Sequence, residues 1–297
     1  MNGFLNDFKN AWNKPNNTVA QIIIINVIVF AIHAILRLFG DSVFWPIYYQ
    51  FAIPSELHEF IIKPWTILTY AFTHGDLWHI LMNMLVFYWF GKLVEEYLGS
   101  NKVIGIYILG AIFAAGLYLI AYNFFPIYSD YNRAILVGAS GSVYAIMVAA
   151  ATLMPDFRFF LLFIGPVRIK YIALVFIFIS FVSVRDVNAG GNLAHLGGAL
   201  LGYLFVLQLR RGSDWSIPVI KTMNFFKDLF KRRPKIKVSH KKSPDTSTGG
   251  QKYSHTQSKP KSNPDQKEID EILDKISEKG YESLTKEEKE KLFNASR

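Results

Sequence analysis

Val137-Gly138-Ala139-Ser140-Gly141-Ser142-Val143-Tyr144 stands at the mouth of an almost wholly apolar stretch that runs to Met154. A serine between glycines, with a hydrophobic run behind it, reads as a hydroxyl carried inside a membrane. Two other polar motifs hold the same kind of position. Trp78-His79-Ile80-Leu81-Met82-Asn83 opens an earlier apolar stretch, and Ala194-His195-Leu196-Gly197-Gly198 opens a later one.

Composition agrees with a membrane setting. The chain has 297 residues, 51% hydrophobic and 15% aromatic, with mean hydropathy +0.22, and its apolar residues come in blocks. The first 18 residues are polar, and the run at 19–39 is of bilayer-span length, without the short apolar core and small-residue cleavage site of a removable signal peptide. With no cysteine, disulfides and thiolate chemistry are excluded, so a nucleophile must be oxygen or nitrogen. The net charge of +9 collects beyond the last apolar block, where cytoplasmic flanks and anionic lipid account for it; no nucleic-acid partner is expected.

Span-length runs fall at 19–39, 77–94, 102–125, 138–154, 166–184 and 192–209, which predicts an all-α polytopic membrane protein with a six-transmembrane-helix bundle. Six spans put both termini on one side. Lys9, Lys14, Lys92, Lys102, Arg158, Arg168, Lys170, Arg210 and Arg211 share that side, against mainly Lys63, Arg133 and Arg185 opposite, so both termini are expected in the cytoplasm of a multi-pass inner-membrane protein.

The expected organisation is a cytoplasmic segment at 1–18, the membrane domain at 19–209, and a basic amphipathic juxtamembrane segment at 210–233. A disordered linker at 234–263 and a small cytoplasmic helical hairpin at 264–297 complete it. In the hairpin, Thr285 and Glu288 have capping-box spacing. Residues 40–76 place aromatics beside prolines, as in a loop lying in the membrane interface. His33 is expected to be packed, and Gly105, Gly110, Gly116, Gly198 and Gly202 to be helix contacts.

Alternation of six spans makes the second, fourth and sixth run in the same direction, which brings His79, Asn83, Ser140 and His195 to one depth. Charged groups in a membrane core cost about 2.5 to 3.5 kcal/mol on insertion scales, so a polar cluster there points to function. Serine needs a base to take its proton, and neutral histidine supplies one; Ser140 and His195 form that pair. No Asp or Glu lies centrally in a span, so a Ser-His dyad is expected rather than a triad. Tyr144, one turn past Ser140, is placed to brace the imidazole. His79 and Asn83, with the Ser140 amide, offer donors for an oxyanion, and Gly138 and Gly141 allow close backbone approach. Taken singly, each motif also fits plain packing: Gly138 and Ser142 make a small-xxx-small pair, and Gly198 with Gly202 another. A metal site is disfavoured because carboxylates and HExxH spacing are missing.

This motif set resembles the rhomboid family of intramembrane serine proteases, of the bacterial six-helix core type. It comprises His74 and His79-xxx-Asn83, Gly138-x-Ser140-Gly141 with Tyr144, and Ala194-His195-xx-Gly198-xxx-Gly202, with Glu95-xxx-Gly99-Ser100 between the first two, over about 19–209. The resemblance implies Ser140 as nucleophile, His195 as general base and then acid, and His79, Asn83 and the Ser140 amide as oxyanion hole, with Tyr144, Gly138, Gly141 and Gly198 in support. It implies hydrolysis in or beside transmembrane segments of membrane-protein substrates, gating by the fifth helix, and no metal or organic cofactor. Thr66 follows Trp65 where the family often has arginine. The alternatives are a catalytically silent protein of this fold that binds membrane clients, and a transporter or channel, for which no pathway charges or repeat symmetry are found.

Overall fold

The computed structural model describes residues 16–128, 134–186, 188–229 and 264–295, with positions 3, 6, 12 and 14 ahead of them. The 234–263 linker and most of the 1–18 segment lie outside the described residues. The chain divides into two compact units, Met1–Arg233 and Pro234–Arg297.

The first unit is helical, with two small strand pairs. In order it contains α1 (Thr18–Arg37), α2 (Asp41–Tyr48), β1 (Ile53–Pro54), α3 (Leu57–Ile62), α4 (Thr66–Thr69), α5 (Leu77–Leu98), α6 (Ser100–Phe124) and β2 (Ile135–Leu136). Then follow α7 (Ser140–Leu153), β3 (Arg158–Leu161), β4 (Gly165–Arg168), α8 (Ile169–Val182), α9 (Ala189–Arg210) and α10 (Ser216–Leu229). Helices α1, α5, α6 and α9 are long and apolar enough to cross a membrane. Two expected spans come out shorter: α7 and α8 have 14 residues each, about 21 Å at 1.5 Å per residue. The reasons are local. Gly138 has φ +120°, so 138–139 approach the helix as loop, and Arg158–Leu161 pairs with Gly165–Arg168 in an antiparallel hairpin that takes the start of the fifth apolar run.

Helix α9 packs most extensively on α7 and then on α6, and small residues make that possible. A Cβ at Gly198 would overlap the Gly141 carbonyl oxygen and one at Gly202 that of Ala145, while Gly110 lies against Ala145 and the Ser142 backbone. Gly116 does not join in: it faces open space. Three buried hydroxyls in this core are bonded to backbone carbonyls of neighbouring elements. Tyr107 Oη donates to Ala71 O at 2.8 Å, Ser142 Oγ to Tyr107 O at 2.7 Å, and Tyr70 Oη to Ala111 O at 2.7 Å. Outward positions such as Ile28, Ile32, Leu174 and Phe178 are exposed hydrophobics, as lipid contact requires.

Glu95, nearly fully buried, binds the start of α1. Its carboxylate accepts from the backbone amides of Thr18 at 2.6 Å and Val19 at 3.4 Å, from Ser100 Oγ at 3.1 Å and from Lys92 Nζ at 2.8 Å. A negative group among the unpaired first amides of a helix is favourable twice, through hydrogen bonds and through the helix dipole. Residues 40–76 fold over the bundle: His33 is buried edge-on to Phe44, Tyr48 and Phe51, and Ile53–Pro54 pairs with Ile135–Leu136. Thr66 is buried there, its hydroxyl closing the turn on Lys63 O at 2.6 Å. Past α9, Asp214 pairs with Lys102 at 2.6 Å and Ser216 packs against Gly105. Beyond that mooring α10 exposes Met223, Phe225, Phe226 and Leu229.

The second unit contains α11 (Pro264–Lys279) and α12 (Lys286–Ala295). Gly280, at φ +78°, turns the chain, and Ile272 and Leu284 are buried. Thr285 N donates to Glu288 Oε2 at 2.8 Å, and Glu288 N to Thr285 Oγ1 at 3.3 Å, which is a reciprocal capping box.

Candidate active site

Three helices bring their N-terminal parts to one cavity of about 260 Å³, lined among others by His79, Asn83, Ser140, Tyr144 and His195. His79 and Asn83 come from α5, Ser140 and Tyr144 from α7, and His195 from α9. The polar groups that the sequence places at one depth thus share one space.

Ser140 is the first residue of α7, where the opening amides of a helix have no intrahelical acceptor and face whatever lies ahead of them. The approach to it is held tightly. Gly138 N donates to Tyr70 O at 2.9 Å, and Ala139 N donates to Nε2 of the buried His74 at 3.4 Å. Gly138 must be glycine on two counts, its positive φ and a Cβ that would stand 2.7 Å from His79 Nε2. Gly141 lies against Ala114, and a side chain on Gly198 would run into the Gly141 carbonyl, so both glycines set how closely α9 approaches the serine.

On α5, Asp76 caps the helix by accepting from His79 N at 2.9 Å. His79 meets His74 ring to ring at 5.1 Å. Asn83 spends one amide proton on His79 O at 2.9 Å; a primary amide has two, which leaves one for the cavity. Tyr144 stacks on His195 with ring centroids 4.2 Å apart and planes 8° from parallel, fixing the imidazole plane. Sequence reasoning missed one member. Ser180, almost wholly buried on α8, places its Oγ 3.0 Å from His195 Nδ1 and 2.9 Å from Tyr144 Oη. A lone serine in an apolar span carries no motif, and its spacing to His195 gave no signal.

A model of the rhomboid domain matches residues 62–212. The chain belongs to the rhomboid family. The match takes in every residue just described and leaves α1 outside, a narrower reach than the 19–209 of the motif resemblance. RHOMBOID-like protein 12, mitochondrial, of Arabidopsis thaliana is 30% identical over 157 residues, 50% of this chain and 47% of that one. Rhomboid protein 1, mitochondrial, of Saccharomyces cerevisiae is 26% identical over 200 residues, 64% and 53% respectively. Rhomboid protease GlpG of Serratia proteamaculans is 24% identical over 176 residues, 58% and 56%. The chain spans about half the length of the curated relatives it matches. A second model, of a family of unknown function, matches residues 257–297. As a rhomboid-family member with four helices able to cross a bilayer, the protein is a multi-pass membrane protein.

Proposed function

We propose that this rhomboid-family protein is an intramembrane serine endopeptidase that hydrolyses peptide bonds in or next to transmembrane segments of other membrane proteins. The observation that carries the reading is the shared cavity, to which α5, α7 and α9 deliver His79, Asn83, Ser140 and His195, with Tyr144 stacked on the imidazole. In this reading Ser140 Oγ attacks the carbonyl carbon while His195 Nε2 takes its proton. The negative charge on the carbonyl oxygen meets His79, Asn83 and the free amide of Ser140. His195 then protonates the departing amine, and water drawn through the cavity hydrolyses the acyl-enzyme with His195 again as base.

The two short helices α7 and α8 complete a six-helix core in this proposal. Starting α7 at Ser140 sets the nucleophile at the mouth of that helix, and Tyr70 and His74 hold the loop that leads into it. The Lys and Arg distribution supports an inner-membrane protein with both termini in the cytoplasm. Residues 1–18, 210–233, 234–263 and 264–297 are then its terminal segment, basic amphipathic juxtamembrane segment, linker and helical hairpin. Helix is a poor protease substrate because its carbonyls are already bonded, so segments with small or helix-weakening residues are the expected substrates.

The test is cleavage of a model transmembrane substrate by purified protein in liposomes, comparing wild type with Ser140→Ala and His195→Ala at equal folded yield. Product from wild type alone supports the dyad. A wild type that neither cuts nor reacts with a fluorophosphonate, across several substrates and lipids, transfers the protein to the silent client-binding reading.

A further inference from the structure

We propose that Ser180 is a positioning residue for His195: its hydroxyl selects the Nδ1–H tautomer and leaves Nε2 bare to act as the base. The inference rests on the reading of His195 as that base and extends it to a helix that carries none of the motif residues.

A neutral imidazole has one donor and one acceptor nitrogen, and whichever group meets Nδ1 decides which is which. Here that group is Ser180 Oγ, at 3.0 Å. The same oxygen lies 2.9 Å from Tyr144 Oη, and Tyr144 Oη lies 3.4 Å from the backbone oxygen of Phe176. The row can run in two directions. If Nδ1–H donates to Ser180, Ser180 to Tyr144 and Tyr144 to Phe176 O, every hydrogen finds an acceptor, and the row ends on a group that can only accept. In the opposite direction Nδ1 accepts, the Tyr144 bond to Phe176 O is given up, and the ring proton moves to Nε2, where it blocks proton removal from Ser140. The extra bond to the carbonyl therefore favours the productive direction.

Like Ser142, which bonds Tyr107 O on α6, Ser180 is used between helices. Asn83, Asn123 and Thr152 bond the carbonyl four residues back, the usual use of a small polar group in an apolar helix, whereas the Ser180 bonds reach α7 and α9. Its own helix has only Ile169, Ala173 and Ser180 buried, so the base is aligned only while α8 is seated. The serine hydroxyl thereby occupies the place that a carboxylate takes in a triad.

The test compares Ser180→Ala, Ser180→Val and Ser180→Thr in the full chain; Val and Thr share a shape and differ in the hydroxyl. Imidazole 15N NMR on histidine-labelled protein in bilayers reads the tautomer. The chain has seven histidines, and the His195 signals are those lost in His195→Gln. The proton is expected on Nδ1 in wild type and in Ser180→Thr, and shifted toward Nε2 in the Ala and Val variants. A wild-type proton on Nε2, or identical tautomer balance in Val and Thr, overturns the proposal whether or not anything is cleaved. In parallel, fluorophosphonate labelling of Ser140 and kcat for a model substrate should fall about tenfold in Ala and Val with KM unchanged, and recover in Thr. If the tautomer responds as expected while wild type neither labels nor cleaves, the positioning stands and the endopeptidase reading falls.

Discussion

Helices α7 and α8 have equal length and opposite circumstances. Of the 14 residues of α7, 11 are buried, among them Ala145, Ile146, Met147, Ala149 and Ala150. Of the 14 in α8, three are buried, while Leu174, Val175, Phe178 and Phe181 stand more than half exposed. Small side chains let α6 and α9 close on α7 from two sides, whereas the bulky apolar side chains of α8 find lipid as acceptable as protein, so no hydrophobic force drives them inward. Ser140 thus rides on the most enclosed helix, and Ser180, beside His195, rides on a loosely held one. The proposed proteolysis would use both, a fixed reacting atom and a wall that can yield to a substrate as wide as a helix.

The contrast can be broken most forcefully at Gly198. Gly198→Ala drives a Cβ into the Gly141 carbonyl and should cost about 2 to 3 kcal/mol, read as a lower thermal midpoint in detergent; tolerance without loss would show that α7 is not locked. Next comes Ile169→Ala, which removes the only large side chain buried on α8 and should cost about 1 to 2 kcal/mol of packing, with faster proteolysis of the β3–β4 hairpin. Phe178→Ala, on the lipid side of the same helix, should change stability by less than about 0.5 kcal/mol; a larger loss would mean that the outer face of α8 has a protein partner.

The smallest effect is expected at Asp214, remote from both helices. Burial raises its carboxyl, but hydrogen bonds from Lys102 and Ser216 and the Lys102 charge outweigh that and hold it below the usual carboxylate range. A depressed folded value stabilises the fold above the unfolded value of about 3.9 and loses that contribution as pH falls through the folded one. Wild type should therefore lose α10 mooring in acid, while Asp214→Asn is weakened at neutral pH and flat below it, measured by protease access to 216–229.

The convergence of His79, Asn83, Ser140 and His195 was legible because alternating spans restrict each polar group to one of two depths. Element limits were less so: the loop start of α7 depends on the positive φ of Gly138, and the hairpin at 158–168 interrupts residues that are apolar enough to continue a helix. Ser180 was illegible because a single hydroxyl in an apolar helix normally bonds its own backbone, and only packing shows that it bonds elsewhere. Glu95 could be read only through resemblance, since its chief partners are backbone amides, which have no letter in the sequence.

The Glu95 anchor also sets an order of assembly. Helix α1 leaves the ribosome before α5, so its opening amides wait for a carboxylate that lies 77 residues later, at the corner where α5 turns into α6. During synthesis α1 therefore enters the bilayer on its hydrophobicity, and its start is fastened only once α5 has been made.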